Sequence, residues 1–358
     1  MKSVTAGRGP RLEPQRGLQL VGTARRAART LALFAVIALA GAGCSDVKDS
    51  LDGADKGMSG VLNGPAAAAF EGLTGTALTD ALYDSGLRLQ AEGKDAEAFQ
   101  RFQQAAGRGH GPAAYELGEA YNAGRGVEQD LNAGAKWIND AALRGEPRAQ
   151  YAVGAARYNG AGVSQDYARA TAYLGRAAEQ GHADAQFLLG ECYANGRGVT
   201  KNLSWAARWY GKAAAQGHPD GAFSFGVVQA AGLGLPINMP DGYAWLDIAS
   251  DRGHRQAGDV RSAIANKMSP AEIEAGKRRS KAFAPESDVA FADKPTVMYV
   301  QYSLNQLGFN AGVVDGLMGP RTRSAISAYL SSIGDGGSGN DVTPALLQHL
   351  FEGQQNAT

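Results

Sequence analysis

The chain of 358 residues has only two cysteines, Cys44 and Cys192, too few for a disulfide framework. It has no charge excess: 35 Lys and Arg stand against 35 Asp and Glu, so no overall field draws it to nucleic acid. Glycine does not recur at every third residue, which excludes a collagen-type repeat. The H-E-x-x-H, G-x-S-x-G and phosphate-loop patterns are missing. One S-x-x-K match, Ser45 to Lys48, has no K-T-G or S-D-N companion. These absences lead to the expectation of a non-catalytic protein without cofactor or metal.

What the chain does have is glycine, 49 copies and about twice average usage, set out periodically. Gly118, Gly154, Gly190 and Gly226 fall 36 residues apart. Gly124, Gly160, Gly196 and Gly232 keep the same step, as do Gly126, Gly162, Gly198 and Gly234. Trp137, Tyr173, Trp209 and Trp245 follow it, and so do the small pairs beginning at Ala141, Ala177, Ala213 and Ala249. So many columns in register predict an all-α chain of stacked helix–turn–helix units, a solenoid over 79–283.

Each column has a physical reading. Asp130, Asp166, Asn202 and Asn238 share one position just before a helical segment. Their short acceptors suit an N-cap, where an orphan backbone N–H must be satisfied. Glycine at 124, 160, 196 and 232 suits the left-handed end of the preceding helix. Glycine inside a helix, as at 118, costs about 1 kcal/mol relative to alanine, so its recurrence needs a packing reason. The expectation is that the aromatic of the second helix lies over the bare backbone of the first. Ser269-Pro270-Ala271-Glu272 reads as a capping box closing the array, with Lys277-Arg278-Arg279 as a solvated face on the last helix. His110, His182, His218 and His254 step along the units, too spread for one metal centre, and read as structural loop residues. Cys192 reads as a small buried filler, with a reactive thiol as the alternative.

These residues resemble the Sel-one-like repeat family, a relative of the tetratricopeptide repeats. Tyr115 to Val127 and Phe187 to Val199 follow its A-x-x-x-L-G-x-x-Y-x-x-G-x-G-V framework closely, while Arg157 and Gln229 replace its tyrosine. The resemblance implies a solenoid that meets a protein partner.

Arg25, Arg26 and Arg29 precede the apolar run Leu31 to Ala40, which is followed by Gly41-Ala42-Gly43-Cys44. That order describes a secretory signal peptide over 1–43, with a run too short to span a bilayer comfortably. Ending on Cys44 resembles the lipobox of bacterial lipoproteins, although Gly41 stands where leucine is usual. The resemblance implies acylation of Cys44, attachment to a membrane, and a periplasmic site at the outer rather than the inner membrane. Residues 44–78 read as a flexible tether.

After a polar linker at 284–296, residues 297–352 read as a small three-helix domain with a tight Asp315-Gly316 turn. Gln301, Leu304, Leu307, Gly308, Asp315, Gly316, Gly319, Thr322 and Ala325 resemble the common peptidoglycan-binding domain, with departures at Tyr329-Leu330 and in the glycines from Gly334 to Gly339. The resemblance implies peptidoglycan as ligand, with Gln301, Asp315, Gly316, Arg321, Thr322, Arg323 and Tyr329 as candidate contacts. Arg321 and Arg323 either pair with stem-peptide carboxylates or are simply solvated. The whole reads as an envelope adaptor joining peptidoglycan to an unidentified envelope protein. A regulatory subunit of a wall hydrolase or synthase, and a plain outer-membrane-to-wall tether, remain open beside it.

Overall fold

The computed structural model describes residues 75–285, 293–335 and 339–356. The signal segment, Cys44 and nearly all of the tether lie outside the described residues. Every element described is helical. The order is α1 Gly75–Ala91, α2 Asp95–Ala106, α3 Gly111–Ala123, α4 Leu131–Leu143, α5 Pro147–Asn159, α6 Tyr167–Glu179, α7 Ala183–Asn195 and α8 Leu203–Ala215. It continues as α9 Pro219–Ala231, α10 Met239–Asp251, α11 Ala257–Ala265, α12 Pro270–Lys281, α13 Lys294–Gln306, α14 Pro320–Ser332 and α15 Pro344–Asn356. The repeats are the pairs α3–α4, α5–α6, α7–α8 and α9–α10, each stacked on the next, with α1–α2 as the end unit. Helix α1 begins at Gly75, inside the segment read as tether. No described helix is long and apolar enough to cross a membrane.

The capping chemistry is as the columns require. Asp130 accepts from the backbone N–H of Asn132 and Ala133 at 2.9 and 3.0 Å, Asp166 from Arg169 at 2.9 Å and Asn202 from Trp205 at 2.9 Å. Gly124 ends α3 at φ 64°, the left-handed region that glycine enters without strain. The next glycine of the loop serves a different need. A Cβ on Gly126 would run into the backbone carbonyl of Asp95, and Gly198 and Gly234 press on Tyr167 and Leu203 in the same way. The second loop glycine is thus where one unit's loop crosses the backbone of the unit before it.

The mid-helix glycines pack under a different residue from the one expected. A Cβ on Gly118, Gly154, Gly190 or Gly226 would stand 2.6–2.9 Å from Ile138, Leu174, Tyr210 or Leu246. Each of these follows the aromatic of its column by one position, about 100° further round the helix. The aromatics lie beside that contact: Trp137 and Tyr173 rest on the first apolar cluster, and Trp245 meets Phe225 and Phe283 with ring centroids 5.6 and 5.3 Å apart. The small pairs Ala141-Ala142 and Ala177-Ala178 are buried completely where helices cross.

The array closes on α12. Ser269 and Glu272 form the capping box, and Gly276 lies against Tyr243 of α10. The basic cluster of α12 is only partly a solvated face. Lys277 pairs with Glu274 within the helix, but Arg279 reaches across to Asp241 at 2.8 Å.

The segment read as linker over 284–296 differs at its end. Helix α13 already starts at Lys294, capped by Asp293, and Asp293, Pro295 and Thr296 are buried. The reason is packing: these residues are the ones that meet the third repeat.

Candidate functional site

Helices α13, α14 and α15 close around Tyr299, Leu304, Ile326, Leu346 and Leu350. Of the seven candidate ligand residues, three (Asp315, Gly316 and Thr322) meet around the side chain of a fourth, Gln301, which faces inward. Gln301 is 1% exposed. Its Nε2 donates to Asp315 Oδ1 at 2.9 Å and Leu317 O at 3.0 Å, and lies 3.2 Å from Thr322 Oγ1. Its Oε1 accepts from the backbone N–H of Asp315 and Gly316 at 3.1 and 2.8 Å. Thr322 in turn donates to Ala311 O at 3.2 Å.

One amide therefore ties the turn together and satisfies the buried N–H of Gly316, which would otherwise be costly. The hydrogen bond from Gln301 is the main cause holding the Asp315 carboxyl below the usual carboxylate range. Gly316 sits at φ 77° against Lys294 and Met298, where any Cβ would collide. Gln301, Thr322 and Gly316 thus build the turn and are buried within it.

Tyr329 is also internal. It lies edge-on to Phe309 and donates from its hydroxyl to His349 O at 2.9 Å, away from the turn. Arg321 and Arg323 lie on the first turn of α14. Arg321 is exposed and runs alongside Gly312, while Arg323 pairs with Asp341.

Sequence reasoning missed the residues that the turn presents to solvent. Val313 is 75% exposed and Leu317 65% exposed, one on each side of Asp315-Gly316. The signal was available: Val313 and Leu317 flank an Asp-Gly turn, where the chain reverses at the surface. Val313, Leu317 and Arg321 give this edge apolar contact and one cation.

The second feature missed is the seat of the domain on α8. Trp205 meets Tyr299 and Phe351 with centroids 4.7 and 5.4 Å apart, and Asn202 donates to Gln354 at 3.2 Å. Arg208 donates to Thr296 Oγ1 at 3.0 Å, and Lys212 pairs with Asp293 at 2.6 Å. The outward positions of the third repeat depart from their columns here: Trp205, Arg208 and Lys212 stand where the first repeat has Ala133, Lys136 and Asp140.

Three repeat histidines are helix caps. His110, His182 and His218 each accept at Nδ1 from a backbone N–H three residues on, at 3.1, 3.4 and 3.0 Å. Their rings stack or tilt on Tyr83, Tyr151 and Phe187 of the preceding unit. His254 stacks on Phe223 without capping a helix. Cys192 is fully buried, and burial pushes its thiol up to about 12.

Stacked helical pairs with the same caps, loop glycines and buried alanines define a helical-repeat scaffold, a class whose extended surface serves contact with other proteins. The Sel1 repeat model matches four segments, 111–146, 147–182, 183–218 and 222–254.

Among solved structures, the chain is similar to c5321, a protective antigen present in uropathogenic Escherichia coli strains that displays an SLR fold. Identity is 24% over 72% of this chain and 58% of that one, with a TM-score of 0.48. This chain thus spans 58% of that antigen's length. It is also similar to a Sel1 repeat protein from Oxalobacter formigenes, at 24% identity over 61% of this chain and 90% of that one, with a TM-score of 0.47. A third similarity is to the immunity protein Pa5087 from Pseudomonas aeruginosa, at 22% identity over 57% of this chain and 79% of that one, with a TM-score of 0.33. No curated protein matches the sequence.

Proposed function

We propose that the chain is a non-catalytic adaptor of the bacterial cell envelope. Its repeats hold a protein partner, its C-terminal domain holds peptidoglycan, and an acylated Cys44 keeps it at the outer membrane on the periplasmic side. The wall reading is carried by the exposed edge of the Asp315-Gly316 turn. Val313 and Leu317 offer apolar contact to the methyl groups of short stem peptides, and Arg321 offers a cation to their carboxylates. Gln301 and Asp315 support the reading indirectly, by holding the turn in the one conformation that presents this edge.

The test is co-sedimentation of residues 45–358 with purified peptidoglycan at low and moderate salt. The expected result is a pelleted fraction that falls as salt rises, because charge-assisted contacts are screened. Recovery of all the protein in the supernatant at low salt would rule the wall reading out. For the anchor, Cys44→Ser should abolish fatty-acid labelling and release the protein from membranes, and labelling that persists in the variant would refute acylation at this residue.

A further inference from the structure

Each half of the chain has an apolar cluster of its own, and the two clusters exchange residues at the joint. In the C-terminal domain the cluster around Tyr299, Leu304 and Leu350 takes only Trp205 from the repeats. On the other side, the cluster of the third and fourth repeats takes Met298, Tyr302 and Val314 from the domain.

The halves are joined by apolar and aromatic packing, as the repeats are to one another, with a buried charge pair added. The joint of α8 and α13 has charge at its centre. Lys212 Nζ donates to Asp293 Oδ2 at 2.6 Å, with both side chains buried. Asp293 also caps α13, accepting from the backbone N–H of Thr296 at 2.9 Å.

Arg208 is 4% exposed and lies between two indoles, its Cζ 4.7 Å from the Trp205 ring and 4.4 Å from that of Trp209. Its hydrogen bond goes to a hydroxyl, whereas Arg148 reaches Glu116 and Glu146, both at 2.6 Å. Burial accordingly pulls Arg208 down to about 10. A buried ion pair adds little net stability over apolar packing, yet losing one partner is strongly unfavourable. Such a joint specifies one arrangement and is undone by a single change of charge.

We propose that the C-terminal domain is clasped to the third repeat through Lys212–Asp293 and can leave it as a folded unit, so that the protein has a closed and an open state. In the closed state the exposed turn is fixed relative to the repeats. Gly316 rests on Lys294 and Met298 in the first turns of the clasped helix, and Val314 packs on the repeat cluster. Anything that grips the turn or covers α8 therefore biases the two states by its differential affinity for them. This inference stands whatever the domain binds.

Two variants of the full chain open the clasp in independent ways. Lys212→Glu reverses the charge at its centre. Gly211→Leu drives a side chain into Pro295, because even a Cβ there would stand 2.7 Å from Pro295 Cβ. Small-angle scattering should give a larger radius of gyration for both than for the native chain. Slowly exchanging amides at Leu304, Ile326 and Leu350 should stay slow. Asp293→Lys added to Lys212→Glu restores a charge pair but not the Asp293 cap, so it should return the radius part of the way. An unchanged radius in both single variants would overturn the proposal. So would loss of protection at those three amides, which would make the halves one cooperative unit.

Discussion

Gly211 of α8 lies directly under Pro295 of α13, with no room between them for a side chain. One repeat earlier, the same column holds Gly175, with nothing within 4 Å of where its Cβ would be. Two glycines that look equivalent in the sequence therefore predict opposite outcomes. Gly175→Ala should stabilise the fold by about 1 kcal/mol through helix propensity alone. Gly211→Ala should gain less or lose, because the same gain is opposed by the clash. Thermal unfolding of the two variants side by side makes the comparison.

The mid-helix glycines supply a second contrast. Gly226→Ala should destabilise by about 1–3 kcal/mol, since the new methyl overpacks Leu246 and the carbonyl of Gly242. The relief is local. Leu246→Ala removes buried apolar surface and costs about 2–5 kcal/mol by itself, but the double variant should lose less than the sum of the two, and urea unfolding of the single and double variants gives the coupling directly.

Much of the repeat architecture is legible in the sequence. The Asp and Asn caps and the left-handed glycines after each first helix follow from local chemistry repeated every 36 residues, and they appear where the columns put them. The partner of Gly118 is not legible to within one residue. Periodicity fixes which residues share a column, but not which of two neighbours points at the facing helix. The clasp is not legible either, because Trp205, Arg208 and Lys212 look like ordinary surface variation until α13 is laid on them. In the candidate site, the family pattern marks residues that make the turn, such as Gln301 and Thr322. Its exposed edge at Val313 and Leu317 lies outside that pattern.

A third prediction concerns acid. His182 caps α7 through an unprotonated Nδ1 and stacks on Tyr151, with ring centroids 4.7 Å apart. Burial, the largest cause, lowers its pKa below the ordinary 6.5. The unfolded chain thus binds this proton more readily. The stabilising contribution is complete above about pH 6.5 and is lost as pH falls towards the folded value. His182→Asn keeps a cap and removes the titration, so its stability should fall less between pH 7.5 and 5.5. Asp184 is held below its usual range, chiefly by the hydrogen bond with His218, so its contribution is lost only at still lower pH. Equilibrium urea unfolding at several pH values separates the two. An unchanged slope in His182→Asn between pH 7.5 and 5.5 would assign the acid sensitivity elsewhere.

A fourth concerns Gln301. Replacing it with leucine leaves the buried N–H of Gly316 without its partner, while the N–H of Asp315 and the carbonyl of Leu317 each lose one bond and keep Val313 O and Gly319 N–H. The buried group left unpaired costs about 1–3 kcal/mol, so the C-terminal domain should melt below the native protein. Near-ultraviolet circular dichroism, which reports the tyrosines Tyr299 and Tyr329 of its core, follows that loss.

The central claim, that the exposed edge of the Asp315-Gly316 turn grips the wall, is tested most directly by a peptidoglycan-binding isotherm of Leu317→Ser combined with Arg321→Gln in residues 45–358. Both side chains face solvent, so the melting temperature should match that of the native chain. Losing one apolar contact and one charge-assisted pair should weaken binding by about tenfold or more. Unaltered affinity with an unaltered melting temperature would contradict the account and move any wall contact to another face of the protein.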